Sequence, residues 1–253
     1  MIDYEGRGRV ALITIDRPEA RNTIDPATAA GIEAAMDRFE ANPELWVGIL
    51  TGRGGVFSLG ADLGAVIAGQ APELLTERGG FAGLVRRKRV KPLIAGVEGP
   101  ALAAGFELAL ACDLIVASET AVFGLPDVKR SLIAASGGLF RLPRIVGTKL
   151  ALEMIMTGDS VPAARALELG LVNRVVAPGR VLDTALALAE QITTNAPIAV
   201  WESRRVAMAA IEAHDDWLWE ETARAASRVA QSEDFAEGPR SWVEGRRPYW
   251  QGQ

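Results

Sequence analysis

The sequence predicts an α/β fold that gives way to a purely helical C-terminal region. Three observations predict it. Short β-branched apolar runs flanked by Gly, Pro, Asp or Asn alternate with longer segments of helical period, as in sheets covered by helices. The strand pattern stops after Asn195. The 253 residues, 49% hydrophobic and 23% charged, have an ordinary globular composition and are enough for a large core.

The strand candidates are Val10–Ile15, Trp46–Thr51, Leu93–Glu98, Leu114–Ala117 and Leu171–Val176. Helical periodicity covers roughly 26–41, 64–70, 80–90, 104–112, 145–156, 162–169 and 180–195. These elements form an α/β core over residues 1–195. Residues 196–253 read as three helices near 197–212, 214–231 and 234–244, broken near His214 and at Ser232-Glu233-Asp234, an N-cap-like sequence. Four of the six tryptophans, Trp217, Trp219, Trp242 and Trp250, lie there, which points to burial against the core or against another subunit.

Composition removes several function classes. With 27 Lys and Arg against 32 Asp and Glu, the net charge is −5, a poor basis for nucleic-acid binding by counterion release. The single cysteine, Cys112, excludes an internal disulfide framework and a Cys-rich zinc site. The single histidine, His214, excludes a multi-His metal centre, and no G-x-S-x-G nucleophile elbow is present. Acid–base chemistry therefore rests on carboxylates, Lys, Tyr or backbone groups. No uncharged apolar run approaches the roughly 18 residues of a membrane span. The N-terminus bears early acids and no signal-peptide core, so a cytoplasmic protein is expected.

Three segments can hold chemistry. In Gly52–Leu63 (GRGGVFSLGADL) a strand enters a Gly-rich loop, either a tight strand–helix turn or a place where a ligand meets backbone amides. In Glu98–Asp113 (EGPALAAGFELALACD) small residues precede a helix that carries Glu107 between Phe106 and Leu108. Glu107 is either a charge stabilised by the helix N-terminus or an acid/base in a dry pocket. The small residues let a substrate carbonyl reach the amides at that N-terminus. In Phe123–Arg144, Pro126-Asp127 reads as a turn, and Asp127 is functional only if it faces Glu107. The basic run Arg86-Arg87-Lys88-Arg89 with Lys91 reads as a solvated helix face, with attraction of anionic phosphates as the functional alternative.

Taken together, these residues resemble the enoyl-CoA hydratase/isomerase (crotonase) family over essentially the whole chain. The resemblance rests on Ile15-Asp16-Arg17-Pro18, Ala20-Arg21-Asn22, Ser58-Leu59-Gly60-Ala61-Asp62-Leu63, Pro92-Leu93-Ile94-Ala95, the Gly99–Ala109 stretch, Cys112-Asp113 and Phe123-Gly124-Leu125-Pro126-Asp127. It continues through Gly137-Gly138, Thr157-Gly158, Ala166–Val172 and Ser232-Glu233-Asp234 ahead of Glu237-Gly238.

The resemblance implies a spiral of ββα units whose C-terminal helices support trimers or dimers of trimers. It implies a coenzyme A thioester as substrate, with no separate cofactor and no metal. Its oxyanion hole maps onto the amides of Ala61 and Ala104, the latter where the family usually has glycine. The two hydratase carboxylates map onto Glu107 and, twenty residues on, Asp127, where the family has glutamate. Substrate contacts map onto Gly60, Asp62, Leu63 and Gly105, with Arg17 and Arg21 as further candidates for the CoA phosphates. The Gly64–Gly80 loop is expected to shape the acyl pocket, and Cys112 and His214 to pack or face solvent. The implied reaction is hydration of a 2-enoyl-CoA. The alternatives are isomerisation, decarboxylation or carnitine-type hydration on the same fold, or a non-catalytic CoA-ester-binding protein.

Overall fold

The computed structural model describes residues 1–210 and 215–253, with no side-chain placement for 215, 216, 242 and 243. The strands in chain order are Ile2–Arg7 (β1), Val10–Ile15 (β2), Val47–Gly52 (β3), Leu75–Thr76 (β4), Gly80–Phe81 (β5), Leu93–Val97 (β6), Ala101–Leu102 (β7), Leu114–Ser118 (β8), Val122–Gly124 (β9), Val161–Pro162 (β10) and Arg174–Val176 (β11). The helices are Pro26–Ala41 (α1), Leu63–Ile67 (α2), Ala104–Ala111 (α3), Gly138–Val146 (α4), Thr148–Thr157 (α5), Ala163–Glu168 (α6), Val181–Thr193 (α7), Pro197–Ala209 (α8), Asp215–Ala230 (α9) and Asp234–Glu244 (α10).

The main sheet has the order β1-β2-β3-β6-β8-β11. Only its first pair is antiparallel; β2 to β11 run parallel. Both faces are covered, which is why its strands read as unbroken apolar runs. Along β2, Ala11, Ile13 and Ile15 join the larger core with α1 and α3, while Val10 and Leu12 join a second cluster under α7. α1 starts with Asp25, whose side chain accepts from the Thr28 amide at 2.8 Å, and with Pro26 in its first turn. Its buried face, including Ile32, Met36 and Phe39, packs on the sheet. Each such side chain contributes about 1.5–3 kcal/mol by leaving water. A smaller sheet, β10-β9-β7, stands beside the main one, and β7 leads directly into α3.

Three expectations need correction. Residues 80–90 are not a helix. Gly80–Phe81 pairs with Leu75–Thr76, and the chain then turns through left-handed residues at Gly80 (φ 65°), Ala82 (φ 55°) and Gly83 (φ 65°), which no right-handed helix accommodates. The basic run that follows is not a solvated helix face either. Arg87 pairs with Asp37, Arg89 pairs with Asp113 at 2.9 Å with its side chain 4% exposed, and Lys91 Nζ donates to the carbonyls of Phe39 and Asn42. These cations hold α1 and α3 to the sheet. The strand expected from Leu171 begins only at Arg174, because the Leu171 and Val172 amides donate to Ala166 O and finish the turn after α6. The sequence reading missed β1 and α4.

The C-terminal helices fall close to their predicted spans. Trp201 Nε1 on α8 donates to Trp46 O, and Arg204 joins Arg89 on Asp113, so α8 is fastened to the edge of the core. Trp217 and Trp219 on α9 are 44% and 74% exposed. His214 lies outside the described residues, as does the side chain of Trp242. Among the described residues no helix is long and apolar enough to cross a membrane.

Candidate active site

The site is built where β3 and β7 deliver two loops against the start of α3. Asn22, buried at φ 55°, ties the first loop: its Nδ2 donates to Arg53 O and Val56 O, and its Oδ1 accepts from the Arg17 amide. Ser58 Oγ donates to Asn22 O and accepts from the Gly60 amide. The Ile24 amide donates to Gly60 O, and the Asp62 amide to Ile24 O. Ala61 lies between these two bonds, and among the described residues its N–H has no protein acceptor.

Ala103 sits just before α3 at φ 50°, ψ −132°, a costly conformation for a residue with a side chain. It is held by its amide, which donates to Gly124 O, and by its carbonyl, which accepts from the Glu107 amide. This corner aims the first amides of α3 outward, and among the described residues the Ala104 N–H also lacks a protein acceptor. Gly60 brings the two loops together. At φ 89°, a Cβ there would lie 2.8 Å from the Ala104 nitrogen. Gly105 is equally constrained, since its Cβ would come within 2.1 Å of Ser58 O.

One turn into α3, Glu107 points into the core and is 1% exposed. Its Oε1 accepts from the Gly138 amide at 2.7 Å, at the start of α4. Burial raises its pKa to about 7; the amides of Gly138 and Ser136 and the Arg141 charge oppose the rise, while the Asp127 charge adds to it. Asp127 lies on the single-turn 3-10 helix Pro126–Arg130, after β9. Its Oδ2 is buried without a hydrogen-bond partner, and burial raises its pKa too.

A cavity of about 470 Å³ opens over these groups. Ala61, Asp62, Leu63, Gly64, Ala104 and Asp127 are among its lining residues. Glu107 lies behind this wall rather than in it. Gly60 and Gly105 shape the backbone beneath. Of the Gly64–Gly80 loop, Gly64 reaches this cavity. Arg17 is turned inward: Nη1 donates to Asp62 Oδ2 at 2.7 Å and to Thr23 O, and Nη2 lies 3.4 Å from Asp25. Asp62 in turn caps α2 through Oδ1, which accepts from the Gly64 and Ala65 amides. Arg17, Asp25 and Asp62 border a second cavity of about 390 Å³ next to the first. Arg21 is exposed at φ 53° and lines neither cavity. Cys112 packs half-buried with Sγ donating to Leu108 O, its thiol pushed up to about 12 by burial. Among the described residues no three His, Cys, Asp or Glu side chains converge as a metal cradle.

A family model described as enoyl-CoA hydratase/isomerase matches residues 5–253. The chain belongs to the enoyl-CoA hydratase/isomerase family. A solved structure of an enoyl-CoA hydratase from Mycobacterium tuberculosis superimposes with a TM-score of 0.96 at 45% identity, covering 100% of this chain and 99% of that one. A carnitinyl-CoA hydratase structure from Mycobacterium avium gives a TM-score of 0.78 at 44% identity, covering 100% and 98%. A carnitinyl-CoA dehydratase of Salmonella enteritidis is 40% identical over 252 residues, 97% of this chain and 96% of that protein. The spiral α/β fold with C-terminal helices is therefore the crotonase fold.

Within this crotonase-family site, sequence reasoning overlooked Asn22, Ser58, Gly138 and Arg141. Asn22 and Ser58 act on backbone groups distant in the chain, Gly138 donates its own amide to Glu107, and Arg141 acts on Glu107 through its charge. Asn22, Ser58 and Gly138 fall in stretches that carry the family resemblance, but their partners could not be read there; Arg141 gave no signal.

Proposed function

We propose that the protein is an enoyl-CoA hydratase, adding water across the 2,3 double bond of a CoA thioester. The observation that supports this most is the meeting of two kinds of group around one cavity: the Ala61 and Ala104 amides, which have no protein acceptor among the described residues, and two carboxyls whose pKa burial raises, Asp127 in the cavity wall and Glu107 behind it.

In this reading the thioester oxygen accepts from both amides. That polarisation draws electron density from the conjugated alkene. Water oxygen bonds to C3, and negative charge gathers on the thioester oxygen as an enolate, where the fixed donors act on the transition state. Glu107 takes the proton of the attacking water. Asp127 holds the same water or returns a proton to C2, which completes the addition. Burial raises the pKa of both carboxyls, and the Asp127 charge adds to the rise at Glu107. Asp127 is one methylene shorter than the glutamate expected there, so the acyl group must sit closer to the Pro126–Arg130 turn for a proton to pass within about 2.6–3.2 Å. Arg17 acts by fixing Asp62 and hence the start of α2. The exposed Trp217 and Trp219 support self-association through the C-terminal helices.

The test is loss of conjugated-thioester absorbance on a panel of 2-enoyl-CoA esters, with product analysis. A 3-hydroxyacyl-CoA product is expected. A shifted double bond or released carbon dioxide instead would overturn hydration, and binding without turnover on every ester would favour a non-catalytic binding protein.

A further inference from the structure

Resting on the hydratase reading, a cavity-lining cation with no ion pair among the described residues names a substrate class. Among the described residues, three charged side chains line the larger cavity: Asp62, Asp127 and Arg130. Asp62 is fully committed, one oxygen to Arg17 and Thr23 and the other to the cap of α2. Burial raises the Asp127 pKa, and the charge of Arg130 nearby opposes that rise. Arg130 differs from both. It is exposed, and among the described residues it makes no hydrogen bond or ion pair.

The backbone explains where Arg130 points. In a 3-10 helix residues three apart eclipse one another, so Asp127 and Arg130 share a face of the Pro126–Arg130 turn. The intervening cation, Lys129, is drawn off by Asp159 at 2.6 Å. Arg130 lies near enough to Asp127 for its charge to act there, although the two form no ion pair. The surrounding wall is apolar, with Leu59, Leu102, Pro126 and Leu132. A guanidinium lining an apolar cleft, with no ion pair among the described residues, accepts a carboxylate and repels a quaternary ammonium.

We infer that Arg130 forms a subsite for an anionic distal group, so that the preferred substrate class is a 2-enoyl-CoA whose acyl chain ends in a carboxylate. This separates the protein from a specificity for trimethylammonium acyl groups, whose cation would face the Arg130 guanidinium.

The experiment compares kcat/KM for CoA thioesters of trans-2-pentenedioic acid, 2-butenoic acid and 4-(trimethylammonio)-2-butenoic acid. The parent protein, Arg130→Met and Arg130→Lys are each assayed. The dicarboxylic ester is expected to lead the neutral one by about tenfold in the parent, the worth of one charge-assisted hydrogen bond. Arg130→Met is expected to erase that ratio and Arg130→Lys to restore part of it. Preference for the trimethylammonium ester, or an equal loss on all three esters in Arg130→Met, would overturn the proposal; the equal loss would place Arg130 on the CoA phosphates. If no ester is turned over, the hydratase reading fails. The subsite is then read from binding alone, where the CoA ester of pentanedioic acid should bind about tenfold tighter than that of butanoic acid, and equal affinities would overturn it.

Discussion

Glu107 on α3 and Gly138 at the start of α4 are joined by a 2.7 Å hydrogen bond, the Gly138 amide donating to Oε1. The bond fixes one oxygen of a carboxyl that has almost no contact with solvent. It also explains the glycine. A Cβ at position 138 would sit 3.1 Å from both Oε1 and Cγ of Glu107, and 3.0 Å from Leu125 Cδ1.

Gly138→Ala should therefore displace the carboxyl while leaving the fold intact, because its backbone is ordinary helix. A fall of about tenfold or more in kcat is expected in steady-state assays, since small misplacements of a reacting group are costly. A crystal structure of the variant should show Glu107 moved; an unmoved side chain with parental kcat would contradict this role.

Gly60→Ala tests the paired amides. At φ 89° the substitution is strained, and its Cβ meets the Ala104 nitrogen. If that contact spoils one oxyanion donor, kcat should fall by about 10²-fold or more. Circular dichroism separates this from unfolding. A folded variant with parental kcat would remove the Ala61–Ala104 pair from the mechanism.

The Glu107 pKa of about 7 has two consequences with opposite signs. As a base Glu107 works ionised, so turnover should drop as pH falls below about 7. For folding, the native state holds this proton between the unfolded value of about 4.3 and 7, so stability attributable to Glu107 falls as pH rises through that window. Glu107→Gln removes the penalty. Its unfolding free energy relative to the parent should grow by about 3 kcal/mol between pH 4 and pH 8, measured by urea denaturation. A pH-independent difference would contradict the buried, raised carboxyl.

Asp113 draws together Arg89, at 2.9 Å, and Arg204, at 2.7 Å. Its carboxyl is held below the usual range by these two cations in spite of its burial. Asp113→Ala leaves Arg89 buried and uncompensated. A loss of about 3–5 kcal/mol is expected, with a fall in Tm of about 10 °C in calorimetry. A change under 1 kcal/mol would mean that the cluster does not fasten α3 and α8 to the sheet.

The contrast between α1 and residues 80–90 shows what the sequence could and could not disclose. α1 is legible because Asp25-Pro26 starts it and an apolar period follows. The 80–90 stretch has a similar apolar period, but three left-handed residues within four and ion pairs to Asp37 and Asp113 override it. Those pairs form with residues far away in the chain, so no local pattern reveals them. The site divides in the same way. Glu107 stands out as a lone carboxylate in an apolar helix. The strained Ala103 corner and the Gly138 amide that holds Glu107 arise only when distant segments meet.

The most direct test is Glu107→Gln, assayed for both hydration of 2-butenoyl-CoA and equilibrium binding of a saturated CoA thioester. The amide fills nearly the same volume and keeps an oxygen for the Gly138 amide, so binding should stay within about threefold of the parent while kcat falls by about 10²-fold or more. Hydration at the parental rate with binding intact would contradict Glu107 as the base.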